Sequence, residues 1–455
     1  MEMVLEFLRD VLSQPALLIG IMSCVGLVAL KRPFHKVMTG TLKPILGYLM
    51  LAAGAGVIVS NLDPLGKMIE HGFHITGVVP NNEAIVAVAQ KVLGVETMSI
   101  LVVGLLMNLC IARFTKFKYV FLTGHHSLFM ACLMSAVLGT AGLSGIELIL
   151  VGGFLMGAWS AISPAIGQSY TSKVTDGDEI ALGHFGSLGY YLSAWVAKYV
   201  GKADDSTEDI EIPEKWGFLR DSTLSTALTM IVFYLIAALA AGSEFVATLS
   251  GSMSPYLFAV MSAMNFAVGV AIVYSGVRMI LGDLIPAFQG IATKIIPNAI
   301  PAVDCAVFFT YAPTAVVLGF ISSFIGGIIG MLILGAVGGV LIIPGLVPHF
   351  FCGATAGIYG NATGGRRGAA VGAFLNGLAI TFLPALALPV LGQLGFQNTT
   401  FGDADFAVMG LVLGNAYEWV GMAGIYGIVA IAALVLIIPN FIKTKGKVIN
   451  YVEEE

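Results

Sequence analysis

One carboxylate in this chain stands almost alone. Asp304, in Pro301-Ala302-Val303-Asp304-Cys305-Ala306, has apolar residues for many positions on both sides. An acid without a charged neighbour in apolar surroundings either pairs through space or takes up a proton. Asp304 therefore reads as a hydrogen-bond acceptor for ligand hydroxyls, as a proton carrier, or as a helix N-cap after Pro301. His184 follows a turn in Ala181-Leu182-Gly183-His184, where a neutral imidazole can donate and accept hydrogen bonds to a hydroxylated ligand. Thr123-Gly124-His125-His126 enters an apolar segment, and adjacent helical residues point about 100° apart, so one imidazole is expected to face a given cavity. Leu128 and Phe129 occupy the positions where a helical metal ligand would follow His125, and no metal site is expected. The acids of Val174-Thr175-Asp176-Gly177-Asp178-Glu179 lack calcium-loop spacing and read as a solvated turn. Arg366-Arg367 reads as a phosphate contact or a cytoplasmic flank.

The elements that carry these groups belong in a bilayer. Of 455 residues 57% are hydrophobic and 11% charged, with a mean hydropathy of +0.92, which leaves too little polar surface to solvate a globular domain. Eleven spans are expected, near 15–30, 43–62, 95–112, 119–140, 143–165, 224–249, 255–281, 312–333, 334–348, 368–391 and 421–440. Two Gly/Pro-rich stretches, Gly54 to Glu83 and Gly276 to Asp304, are expected to interrupt helices, and 75–93 to form a re-entrant hairpin. Basic clusters at Lys31 to Lys43, Arg113 to Lys118 and Lys443 to Lys447 place those regions in the cytoplasm, with the N-terminus outside and the C-terminus inside. The first helix is expected to be retained. The acid-rich loop 203–221 falls on the cytoplasmic side, where a soluble partner could dock.

A net charge of -5 argues against nucleic-acid binding, and the absence of GxxxxGK[ST] argues against an ATP-driven pump. The five scattered cysteines read as small core residues, and the glycines from Gly326 to Gly339 as close helix packing. Sliding the chain on itself by roughly 220 residues aligns Gly56-Val57 and Asp63 with Gly276-Val277 and Asp283. Pro80 and Glu83 then meet Pro301 and Asp304, His125 nearly meets His349, and Asp178 and Gly183 meet Asp405 and Gly410. The expected organisation is a first half over 1–222, a second over 223–420, and a final helix and tail over 421–455. An odd number of crossings per half would invert the halves and put a substrate at their interface. An ion-coupled transporter using Asp304 and Glu83, or an intramembrane transferase using His125 and Asp304, would share these residues.

Several segments resemble the membrane-embedded IIC subunits of the bacterial phosphotransferase system, in the ascorbate-type branch. They are Leu51-Ala52-Ala53-Gly54-Ala55-Gly56, Leu122-Thr123-Gly124-His125, Val174-Thr175-Asp176-Gly177 with Gly183-His184, and Ala302-Val303-Asp304-Cys305-Ala306 with Tyr311-Ala312-Pro313. Leu341-Ile342-Ile343-Pro344-Gly345 through Phe350-Phe351 to Gly364-Gly365 completes the match. The resemblance implies an all-α, multi-pass protein of the bacterial inner (cytoplasmic) membrane. It implies a homodimer in lipid, eleven spans per protomer, an inverted repeat, a scaffold domain, and a core domain that moves by an elevator mechanism. It also implies a small sugar substrate and cytosolic IIB and IIA phosphocarrier partners, with no cofactor and no phosphorylation site in this chain. Around the sugar it places Gly54, Ala55, Gly56, Asn82, Glu83, His125, Phe129, His184, Phe185, Asp304, His349 and Phe350. Phe129 and Phe185 stand where ascorbate-type members commonly carry glutamine, and His349 where an apolar residue is familiar. The substrate reading thus spans ascorbate, a pentitol or another small sugar.

Overall fold

The computed structural model describes residues 11, 14–74, 77–80, 82–177, 179–210, 222–392 and 399–441. Its frame is a pair of long helices, α2 (Phe34–Phe73) and α9 (Pro255–Lys294), each of 40 residues. At 1.5 Å per residue each is about 60 Å long, about twice the hydrocarbon thickness of a bilayer. Gly54 and Gly276, which open the two expected interrupted stretches, lie inside these helices, and the interruptions come later within those stretches. A Cβ on Gly276 would come within 2.6 Å of Gly47 O, and one on Gly54 within 2.7 Å of Gly269 O. The residues pair in opposite order, so the helices run antiparallel in backbone contact, and the missing side chains are what permit that approach. Lys43 and Asp283 close one end of the pair at 3.5 Å. The chain actually leaves helical geometry later, at His74 (φ 55) and beyond Lys294.

α1 (Pro15–Ala29) precedes this pair, and α7 (Ser222–Ala241) and α8 (Ser243–Ser250) pack against it, the last two bent by 118° at Gly242. The remaining helices are α3 (Asn82–Phe114), α4 (Gly124–Thr140), α5 (Gly145–Thr175), α6 (Ser187–Val200), α10 (Pro313–Ala336), α11 (Leu346–Gly392), α12 (Ala404–Val420) and α13 (Met422–Phe441). α3 runs from Asn82 to Phe114 as one helix, so no hairpin lies within 82–93, which corrects the re-entrant hairpin expected across 75–93. α11 breaks at Gly364 and Gly365, whose backbones leave the helical region. Among the described residues seven helices are long and apolar enough to cross a membrane, or eight if α7 and α8 form one bent span. The expected span at 334–348 is not a helix: α10 ends at Ala336, Gly338 has φ 70, and Ile342 bridges to Val78. Its glycines and Pro344 favour a turn over a continued helix.

Among the described residues five short strands lie between the helices: β1 (Val79–Pro80), β2 (Tyr119–Phe121), β3 (Ala181–Leu182), β4 (Ile300–Val303) and β5 (Thr399–Thr400). β4 sits between β2 and β3, parallel to both. β1 is parallel to β5, and Val78 just before it bonds Leu341 and Ile343. Each ladder therefore joins residues from before 203 with residues from beyond 299. An offset of about 220 residues carries α2 onto α9 and β1 onto β4. Backbone groups in these non-helical stretches are satisfied by the ladders, which is the condition for irregular backbone at membrane depth.

Candidate functional site

Asp304 ends β4 and begins a 3-10 turn over Cys305–Thr310, where its Oδ1 accepts the Ala306 N–H at 3.0 Å. The N-cap and the acceptor readings of this residue therefore hold together, since one oxygen caps and the other stays available. Oδ2 faces His125 Nε2 at 3.3 Å, and His125 Nδ1 shares a hydrogen bond with the Tyr48 hydroxyl at 3.1 Å. Asp304, Tyr48, Thr123, Leu122 and Val303 line a small pocket, walled on its other side by Ile19, Leu51, Ile280 and Val307. Thr123 Oγ1, within that lining, is buried with no hydrogen-bond partner among the described residues.

Behind the pocket is a closed cluster. His184 lies next to Asp304 and Cys305, with a ring nitrogen, a carboxylate oxygen and the sulfur all within 4.8 Å of one another. His184 Nδ1 accepts the Gly186 N–H at 3.1 Å and the Tyr190 hydroxyl at 2.9 Å. His126 Nδ1 accepts the Phe185 N–H at 3.3 Å. A backbone N–H only donates, so both imidazoles are neutral with their proton on Nε2. The 3.8 Å separation of His184 Nδ1 from Asp403 is therefore no charged pair.

This tautomer also decides the metal question for His126, His184 and Asp403, whose donor atoms lie within 4.8 Å of one another. A histidine that binds metal through Nε2 needs an acceptor for the proton left on Nδ1. Here both Nδ1 atoms face donors, and Asp403 is spent on Asn82 Nδ2 at 2.6 Å and Cys352 Sγ at 2.9 Å. The set fits internal hydrogen bonding better than metal ligation.

His125, His184, Asp304 and Asn82 thus fall within one connected region, Asn82 through Asp403 and through Gly402 N–H, which donates to its Oδ1 at 2.9 Å. Phe129 and Phe185 are buried around His126 with Phe406, and Phe185 stacks on Phe121 with ring centroids 4.6 Å apart. Gly54 faces α9, Ala55 is half-buried on α2, and Gly56 has open space where a side chain would project. His349 bonds Ser323 Oγ at 2.9 Å and packs on Phe324, while Phe350 contacts Phe266, Phe309, Phe320 and Phe351. Those contacts are with the core, not with Asp304 or the other histidines. Glu83 lies in the backbone of α3, and its side chain, like Asp178, falls outside the described residues.

Tyr48, Thr123, His126, Tyr190, Asp403 and Cys352 were not singled out from the sequence as site residues. Only His126 had a usable signal there, as the neighbour of His125 in Gly124-His125-His126. Asp405, seen earlier only as a repeat match, is fully buried and accepts from Ser187 Oγ at 2.7 Å, Leu188 N–H at 2.9 Å and Trp159 Nε1 at 3.1 Å. It caps α6 and so holds the turn that carries His184. Arg366 pairs with Asp205 at 3.2 Å and donates to Ser206 O.

A multi-pass membrane protein with a buried carboxylate and imidazoles beside broken chain segments is the class that these features define. Residues 10–405 match the EIIC-GAT family, described as the PTS system sugar-specific permease component, and the chain belongs to it. It is similar to the ascorbate-specific PTS system EIIC component of Mycoplasma pneumoniae, at 27% identity over 417 residues, 78% of this chain. The chain spans 62% of that relative's length.

Proposed function

We propose that this chain is the translocation subunit that carries L-ascorbate, or a closely related acidic sugar, across the bacterial inner membrane. Cytosolic IIB and IIA proteins would supply the phosphoryl group, and the substrate would be modified as it reaches the inner face. The observation that carries this reading is the balance of donors and acceptors around Asp304. Its Oδ1 is spent on Ala306, Asp403 is spent on Asn82 and Cys352, and buried His184, beside Asp304, keeps an Nε2–H donor. Each hydroxyl of a neutral polyol brings a proton that needs an acceptor, and few acceptors are free. An acidic sugar lactone supplies oxygen acceptors with fewer donors. The name of the Mycoplasma relative points the same way.

An inverted repeat with an elevator-type core is the transport mechanism we favour, within a homodimer. It is supported by the offset of about 220 residues between the two 40-residue helices and by the two ladders that join distant parts of the chain. Purified protein should be stabilised against heat by L-ascorbate and not by pentitols at equal concentration. Stabilisation by a pentitol alone would reject the acidic-sugar reading.

A further inference from the structure

His126 does not line the pocket. It is buried, its ring centroid is 3.8 Å from that of His184, and it stacks on Phe406 at 5.6 Å with an interplanar angle of 13°. Its Nδ1 takes the N–H of Phe185, whose carbonyl in turn accepts the Asp405 N–H at 2.9 Å. Phe185 is thus held at both of its backbone groups, the N–H by an imidazole and the carbonyl by the start of α12. The next N–H, of Gly186, turns back onto His184 Nδ1. A buried peptide N–H without an acceptor carries a full desolvation cost, so removing His126 Nδ1 would let this turn reorganise.

We propose that His126 is a positioning residue: by accepting the Phe185 N–H it holds the 184–186 turn so that His184 keeps its proton on Nε2. The claim that His184 then serves the substrate rests on the function proposed above, whereas its tautomer does not. The two are separable by experiment. Asparagine reproduces an acceptor near the Nδ1 position, glutamine reaches only toward Nε2, and leucine provides neither.

The test uses the full chain in nanodiscs, labelled with 15N-histidine, with the His184 signal identified by loss in His184→Ala. The protein has 7 histidines, so the spectrum is tractable. Wild type and His126→Asn are expected to give His184 a single Nε2–H signature, and His126→Leu and His126→Gln a mixed one. L-ascorbate affinity, read in parallel, is expected to fall about tenfold in the Leu and Gln variants and to return to within about threefold of wild type in His126→Asn. An unchanged His184 signature in His126→Leu overturns the proposal. So does better rescue by Gln than by Asn, which would make His126 a direct donor. If His126→Leu does not fold, the Asn and Gln pair decides alone. If wild type does not bind ascorbate, the acidic-sugar reading fails while the tautomer result still judges His126.

Discussion

Tyr48 and Asp304 hold one imidazole between them: the tyrosine hydroxyl lies 3.1 Å from His125 Nδ1, and the carboxylate 3.3 Å from His125 Nε2. Tyr48 belongs to the long helix α2, His125 opens α4, and Asp304 closes β4. Three separate elements therefore meet at a single ring, and any relative movement of α2 against the β4 region must be felt there. An ionised Asp304 can only accept, so Nε2 carries a proton and the Tyr48 hydroxyl donates to Nδ1 when the ring is neutral.

Asp304→Asn separates the two tasks of this side chain. An amide oxygen still accepts the Ala306 N–H, so the turn at Cys305 keeps its cap and the unfolding temperature should move little. The negative charge facing His125 is lost. A hydrogen bond to a charged group is worth about 1.5 to 3 kcal/mol, so substrate affinity should fall by roughly 10- to 100-fold. Uptake in vesicles and thermal unfolding, measured on the same preparation, check both halves. Normal uptake would remove Asp304 from the site.

Tyr48→Phe keeps the ring in its apolar surroundings and deletes only the hydroxyl. His125 then loses the partner on Nδ1 and gains freedom to rotate, at a cost of about 0.5 to 1.5 kcal/mol. Substrate affinity is expected to drop by a few-fold, with no change in expression or oligomeric state. Ligand titration by intrinsic fluorescence or calorimetry measures it, and an unaltered affinity would reduce the contact to a packing detail.

The cluster was partly legible in the amino-acid sequence. A lone acid in an apolar stretch and a histidine after a Gly-flanked turn are unusual at membrane depth, and Asp304 and His184 do lie together. Tyr48 was not legible, because one tyrosine in an apolar helix carries no signal until its neighbour 77 positions away is known. His126 was obscured by the expectation that one of two adjacent imidazoles serves a cavity; both are used, on different partners. The helices end inside the two stretches expected to interrupt them, but Gly54 and Gly276 at the start of those stretches serve helix contact, because glycine both ends helices and lets helices touch. Only the facing Gly47 and Gly269 decide between these, and they are far off in the chain. The Gly335 to Pro344 stretch was hydrophobic enough to pass for a span, yet its backbone turns and bridges to Val78.

The acidic strap after α6 makes a further prediction. Glu208 accepts from Thr314 N–H at 3.0 Å, Ala315 N–H at 3.1 Å and Thr314 Oγ1 at 2.9 Å, so it caps α10 from outside that helix. A carboxylate there also meets the positive end of the helix. Glu208→Ala should lower stability by about 1 kcal/mol, seen as a small drop in unfolding temperature, and the difference should shrink at high salt. Glu208→Gln should retain about half of the effect. If Glu208→Ala leaves both temperature and salt response unchanged, the strap is not holding α10.

Gly54 and Gly56 separate packing from substrate contact two residues apart. A Cβ on Gly54 would meet Gly269 O at 2.7 Å and Val273 N at 2.8 Å, both backbone atoms that yield only if α2 and α9 move apart. Overpacking of this kind costs about 1 to 3 kcal/mol, so Gly54→Ala should lower the unfolding temperature by several degrees. Gly56 has nothing within 4 Å of the same position, and Gly→Ala inside a helix is favourable by roughly 0.5 to 1 kcal/mol. Gly56→Ala should therefore be neutral or mildly stabilising. Its effect on ligand affinity then isolates any role of the 54–56 segment beside the sugar: loss of binding in a stable Gly56→Ala protein would assign that segment to the substrate, while full binding would leave these glycines to helix contact alone.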